Sequence, residues 1–155
     1  MSALPDHETV VFRVDDEETG QVLLDALPAT HLKSNLYRIE APPLHAYRVS
    51  MGDVVRAGPD EEGSLIAIEV TRKSGNRTLR LDLGEMPRAG AEPLLSALAQ
   101  MGLEYRTSEA NRVSINVPKD ADLDEVVQEL RRAGLVWEHA DPSYDQIYPP
   151  HRVDD

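Results

Sequence analysis

Arg80, Arg106 and Arg112 alternate with apolar residues along three strand-like stretches, and Ser114 and Asn116 follow on the same side. A planar guanidinium matches a carboxylate or phosphate, so this set is a candidate anion-binding face. The plain alternative is a solvated or domain-covered face of cross-strand ion pairs, each contributing about 0.2–1 kcal/mol. Asp82, Glu104 and Glu138 share the face and would supply the partners.

Other residue types capable of chemistry are scattered. His7, His31, His45, His139 and His151 never fall four apart, the spacing that sets two imidazoles on one helix face, so no metal site is expected. His139, Asp141 and Asp145 cluster locally but lack a nucleophile, and no catalytic residue is assigned. Asp120, Asp122 and Asp124 imitate the start of a calcium loop. Its sixth and twelfth places are Glu125 and Arg131, however, so a helix cap explains these carboxylates better. No glycine set cradles a phosphate between strand and helix, and no cofactor is expected.

The formal net charge is −12, which repels nucleic acid and anionic membrane and attracts basic partners. Two acidic runs sharpen this: Asp15, Asp16, Glu17 and Glu18, then Asp60, Glu61 and Glu62. Both fall at expected hairpin ends, and if those ends adjoin, their carboxylates would steer a basic protein surface. There is no cysteine, which excludes disulfides and thiolate chemistry. With no signal-like start and no apolar run near ~18 residues, the expected location is cytoplasmic.

The elements that must position these residues divide into two grammars. Over residues 8–76 short strands are cut by turns: Val10, Phe12 and Val14 alternate, residues 22–26 resume an apolar pattern, and Leu36, Tyr37, Arg38 and Ile39 run up to Pro42 and Pro43. Residues 52–57 and 65–71 then form a hairpin, with Ile66, Ile68 and Val70 on one side. Five such strands predict a small barrel or curled sheet. Over residues 77–139 strand alternates with helix. Leu98, Gly102, Leu103 and Tyr105 recur as Leu130, Gly134, Leu135 and Trp137 at a constant offset, a doubled helix, glycine stop and strand. Pro93 opens the first helix and Asp122 caps the second, while Tyr105 and Trp137 point to the core. The prediction is an α+β chain whose barrel-like part precedes a ferredoxin-like β-α-β-β-α-β sandwich, with residues 140–155 as a Pro/Tyr/Asp tail.

Several of these segments together resemble a known bacterial family, the domain of unknown function 4265. The resemblance rests on an opening Val10-x-Phe12-Arg13 strand, Leu36-Tyr37-Arg38-Ile39 leading to proline, Gly52-Asp53-Val54-Val55, and Ser74-Gly75-x-x-Thr78, and it spans residues 10–148. Ala41, Pro42 and Pro43 stand where the family has an Asn-Ile-Pro-Phe type segment. The resemblance implies the architecture and assigns no activity.

Small size, acidity grouped on loops and the lack of a catalytic set predict a non-catalytic protein-binding module. It would be an immunity-type inhibitor of a toxin with a basic surface, acting as monomer or homodimer. The alternative is a small-ligand-sensing regulatory protein, which rests on fold analogy. An enzyme using His139, Asp141 or the arginine face ranks third.

Overall fold

The computed structural model describes residues 7–16, 19–108 and 111–142. Five strands, β1 (His7–Asp15), β2 (Val22–Lys33), β3 (Leu36–Ile39), β4 (Val54–Pro59) and β5 (Leu65–Arg72), follow one another around a closed barrel. Successive strands pair antiparallel, and a short parallel pairing of Val10 with Leu65 and Val11 with Ile66 closes the ring. Alternation along each strand turns Val10, Leu27, Ala29, Ile39, Val55 and Ala57 inward, where they form the barrel core.

The expected phase of β5 is corrected. Ile68 points out and is 54% exposed, whereas Leu65, Ala67 and Val70 pack against the core. The cause is a register shift opposite Arg56 and Ala57: Ala57 pairs with Ala67 but Val55 with Val70, so an extra residue on β5 reverses its inward face.

The second part comprises β6 (Arg77–Asp82), α1 (Arg88–Gln100), β7 (Glu104–Thr107), β8 (Arg112–Val117), α2 (Leu123–Ala133) and β9 (Val136–Asp141). Its sheet has the order β7-β8-β6-β9 with every neighbour antiparallel. Leu79, Leu81, Val113 and Ile115 pack beneath Leu94, Leu95 and Leu98 of α1 and Val126, Val127 and Leu130 of α2. The whole is therefore α+β: a closed barrel, then a sheet carrying two helices. Among the described residues no helix is long and apolar enough to cross a membrane.

Both helices stop as the repeated glycines require, with Gly102 at φ +80° and Gly134 at φ +70°. Asp122 caps α2, its side chain accepting the Asp124 N–H at 3.0 Å. Two expectations need correction. The first helix begins at Arg88, so Pro93 lies inside it. Tyr105 sits on the edge strand β7 and is 37% exposed, while its counterpart Trp137 packs against the core. β9 also runs on to Asp141, taking residues 140 and 141 out of the expected tail; residues 143–155 lie outside the described residues.

Candidate functional site

The strand register assembles the predicted polar face. Arg80 lies opposite Ser114 on one side and Glu138 on the other, and Ser114 lies opposite Arg106, so Arg106, Ser114, Arg80 and Glu138 form a row across all four strands. The next row holds Arg112, Asp82 and Val136. The centre of this face is closed to solvent, because the segment between β3 and β4 lies over it. Ser114 Oγ donates to the Pro43 carbonyl, and Arg80 Nη2 to the Ala46 carbonyl.

Asp25 fixes that segment. It occupies an inward position of β2 in line with Leu27 and Ala29, and its buried carboxylate accepts the His45 and Ala46 N–H groups at 2.7 and 3.0 Å. A second anchor ties the two parts of the molecule together. Lys73 Nζ lies 2.5 Å from Asp53 Oδ2 and 2.6 Å from Asp141 Oδ2, and it donates to the Arg48 carbonyl at 3.1 Å. Ser50 Oγ donates to Asp141 at 2.6 Å and also meets Thr78 Oγ1 at 2.6 Å. Asp53 accepts the N–H groups of Ser50 and Ser74 at 2.9 and 2.7 Å. Gly52 is obligatory here: at φ +89°, a Cβ on it would meet Ser74 Cβ at 3.0 Å. The Gly52-Asp53 and Ser74-x-x-x-Thr78 motifs thus form opposite sides of one joint. Ser50 is buried with its hydroxyl already engaged, so it holds structure and is no nucleophile.

Between the barrel and the sheet a cleft of about 580 Å³ remains. Its barrel wall is Val14, Asp15, Asp16 and Leu23; its sheet wall includes Arg80, Asp82, Arg112, Trp137 and Glu138; His45 and Tyr47 of the covering segment complete it. Arg80 is the central group. It is only 2% exposed, yet its Nε and Nη1 have no protein partner. No carboxylate approaches it within ion-pair distance among the described residues. The Tyr47 ring lies over its guanidinium, 4.7 Å from Cζ to the centroid, and Tyr47 Oη donates to Glu138 at 2.8 Å.

Further unpartnered buried atoms gather around it: His45 Nδ1, Arg106 Nη1 and Asn116 Oδ1. Each belongs to the same sheet face or to the segment covering it. Burial depresses the Arg80 pKa against the opposing pull of Tyr47, Glu138 and Asp25. The His45 pKa is lowered, first by burial, with Arg112 and Arg80 adding to this and Asp25 opposing it. Burial, the hydrogen bond to Glu138 and its charge all raise the Tyr47 pKa. A buried guanidinium with free donors is costly unless an acceptor meets it, and the cleft is where one can enter.

The structure joins some predicted residues and separates others. Arg80 and Arg112 line the cleft; Arg106 shares the row but lies beyond Ser114, outside it. Asp15 and Asp16 line its barrel wall. Asp60, Glu61 and Glu62 instead line a hollow on the outer barrel wall with Val11, Leu24 and Ile66. The parallel β1 and β5 register explains the split: the turn carrying Asp60 precedes Leu65, beside Val10, while Asp15 ends β1 at the far end. Asp15 and Asp16 therefore lie apart from Asp60, Glu61 and Glu62, and Glu17 and Glu18 lie outside the described residues. Asp60 Oδ1 also folds its own turn, accepting the Glu62 and Ser64 N–H groups at 2.9 Å each. His139 and Asp141 do not act together: His139 stacks edge-on with Trp137 at 5.1 Å while Asp141 faces Lys73, and Asp145 is outside the described residues.

Sequence reasoning missed Asp25, His45, Tyr47 and Lys73. A signal existed only for Asp25, a carboxylate on the apolar phase of β2.

With barrel, sheet and cleft in place, the chain falls into a class of two-part α+β proteins whose parts are locked by a polar joint. It belongs to the family described as domain of unknown function (DUF4265), which matches residues 25–139. That span holds the sheet wall of the cleft and all of the joint but Asp141. Among solved structures the chain is similar to one titled "Novel crystal structure of a hypothetical protein from Neisseria gonorrhoeae". The two share 21% identity and a TM-score of 0.69, over 93% of this chain and 99% of that one. That likeness concerns the fold alone. A comparison with curated proteins finds no match.

Proposed function

We propose that the protein is a non-catalytic binding module that takes a small anionic ligand into the cleft between barrel and sheet. The observation that carries this reading is Arg80, which lines that cleft and is buried with two donors unpartnered. Arg112 on the same wall adds a second positive charge. A β-α-β-β-α-β order with the sheet order β7-β8-β6-β9 supports a ferredoxin-like reading of the second part, and with it a ligand-sensing regulatory role by analogy. The absence of cysteine supports a cytoplasmic setting.

Thermal unfolding is measured with a set of small carboxylates and phosphates, and the hits are titrated calorimetrically. At least one anion should raise the melting temperature of the parent protein and fail to do so with Arg80→Leu. A flat response across the set, or equal shifts in the variant, overturns the reading.

A second reading keeps the acidic charge at its centre: an immunity-type inhibitor that docks a basic toxin. It draws support from the outer hollow, where Asp60, Glu61 and Glu62 border Ile66 and the exposed Leu24. Native mass and capture at physiological salt, compared with a Glu61→Lys/Glu62→Lys variant, test it. If no protein partner is recovered, or capture is unchanged by the reversal, this reading fails.

A further inference from the structure

The cleft has a mixed charge that a simple anion does not answer. Two guanidiniums, Arg80 and Arg112, share it with four carboxylates, those of Asp15, Asp16, Asp82 and Glu138. An anion drawn to Arg80 therefore enters against a net negative lining, and its own charge would be opposed on two sides.

The arrangement is ordered along the strands. Glu138 is the cross-strand partner of Arg80, and Asp82 lies two residues along β6 on the same face, opposite Arg112. A carboxylate thus stands beside each cation in the strand register, and both line the cleft with Arg80. Besides His45 and Tyr47, the lining offers apolar Val14 and Leu23 from the barrel and Val136 from β9, while Leu81 and Trp137 border it from the helix-side core. Val136 is largely exposed, which leaves that side of the cleft open.

We infer that the ligand is a zwitterion of the α-amino-acid type, its carboxylate held by Arg80 and its ammonium by Glu138 and Asp82, with an apolar side chain against Leu23 and Val136. This deepens the reading of the cleft as an anion site and rests on it. A zwitterion satisfies both signs at once. It offers acceptors to Nε and Nη1 of Arg80 and donors to carboxylates that would repel a plain acid. The Tyr47 hydroxyl, donating to Glu138, keeps that carboxylate on the Arg80 side of the cleft.

The test uses the full chain and calorimetric titration with each standard L-amino acid. Every one that binds is then compared with its deaminated acid and its decarboxylated amine. The expected result is an apolar amino acid that binds about tenfold or more tightly than either truncated form. Glu138→Gln and Asp82→Asn should remove its advantage over the deaminated acid while leaving binding of that acid unchanged or stronger. Both variants retain an acceptor oxygen, for the Tyr47 hydroxyl and the Gly84 N–H respectively. Their melting temperatures without ligand verify the fold.

Three results overturn the inference: a deaminated acid that binds as tightly as the amino acid, a preference that survives in both variants, or no binding by any amino acid. If simple acids still bind the parent and not Arg80→Leu, the anion cleft stands and only the zwitterion falls. If no acid binds either, both fall.

Discussion

At their centres the two faces of the sheet β7-β8-β6-β9 are equally hidden from water and chemically opposite. On the helix side, Leu79, Leu81, Val113 and Ile115 are buried among apolar partners. On the barrel side, Thr78, Arg80, Ser114 and Asn116 are buried as deeply but are polar. Burial stabilises the first face directly, at about 25 cal/mol per Å² of apolar surface. The second face gains little, because Arg80 and Asn116 keep polar atoms without partners. The contrast teaches that the helix side makes the fold, while the barrel side carries a cost that folding alone does not explain.

Substitutions break or sharpen this contrast. The largest effect is expected on the helix side, where Leu81→Ala or Ile115→Ala should lower unfolding free energy by about 2–5 kcal/mol in urea titrations. Next comes the joint. Asp53→Ala leaves the Ser50 and Ser74 N–H groups and Lys73 without their carboxylate and should remove about 3 kcal/mol. Lys73→Met should cost less, about 1 kcal/mol, since that side chain is half exposed. Loss of equal size in both variants would mean that Asp53 acts only through the ion pair.

Arg80→Leu is the sharpest comparison. It should stay within about 1 kcal/mol of the parent in stability, because an apolar residue replaces a poorly satisfied cation, while ligand binding disappears. A loss matching Leu81→Ala would make Arg80 a structural residue and erase the contrast. The smallest effect concerns pH. The folded His45 pKa lies below its ordinary 6.5, so the unfolded chain takes up a proton first. Neutral His45 therefore contributes stability above 6.5 that is lost as pH falls through the folded value. His45→Asn should flatten the fall in unfolding free energy below pH 6.5, and an unchanged slope would refute the assignment.

Legibility in the sequence followed the same division. The doubled Leu98/Leu130 and Gly102/Gly134 signature reveals the helices because period and chain stop are local signals. The alternation of Leu79 and Leu81 with Arg80 places the arginines on the correct face for the same reason. The phase of β5 was hidden, since its inward face reverses at a bulge defined by the partner strand. So was the cleft: nothing near His45 or Tyr47 announces that Asp25, twenty residues back, draws their segment over the sheet. Lys73 likewise gains its meaning from Asp53 and Asp141, which lie far off in the chain. Contacts of this range leave no periodic trace.

The joint has one more consequence. Residues 73–76 are the whole connection between β5 and β6, and they are fastened to the 48–53 segment through Lys73, Ser74 and Asn76. The barrel and the sheet thus resemble the jaws of a caliper locked by its own screw, with the gap set when the chain folds. If the cleft takes a ligand as proposed, a gap held by this joint would add length and shape to charge as grounds for selection. Drift at the screw would alter which molecules fit without touching any residue that grips them.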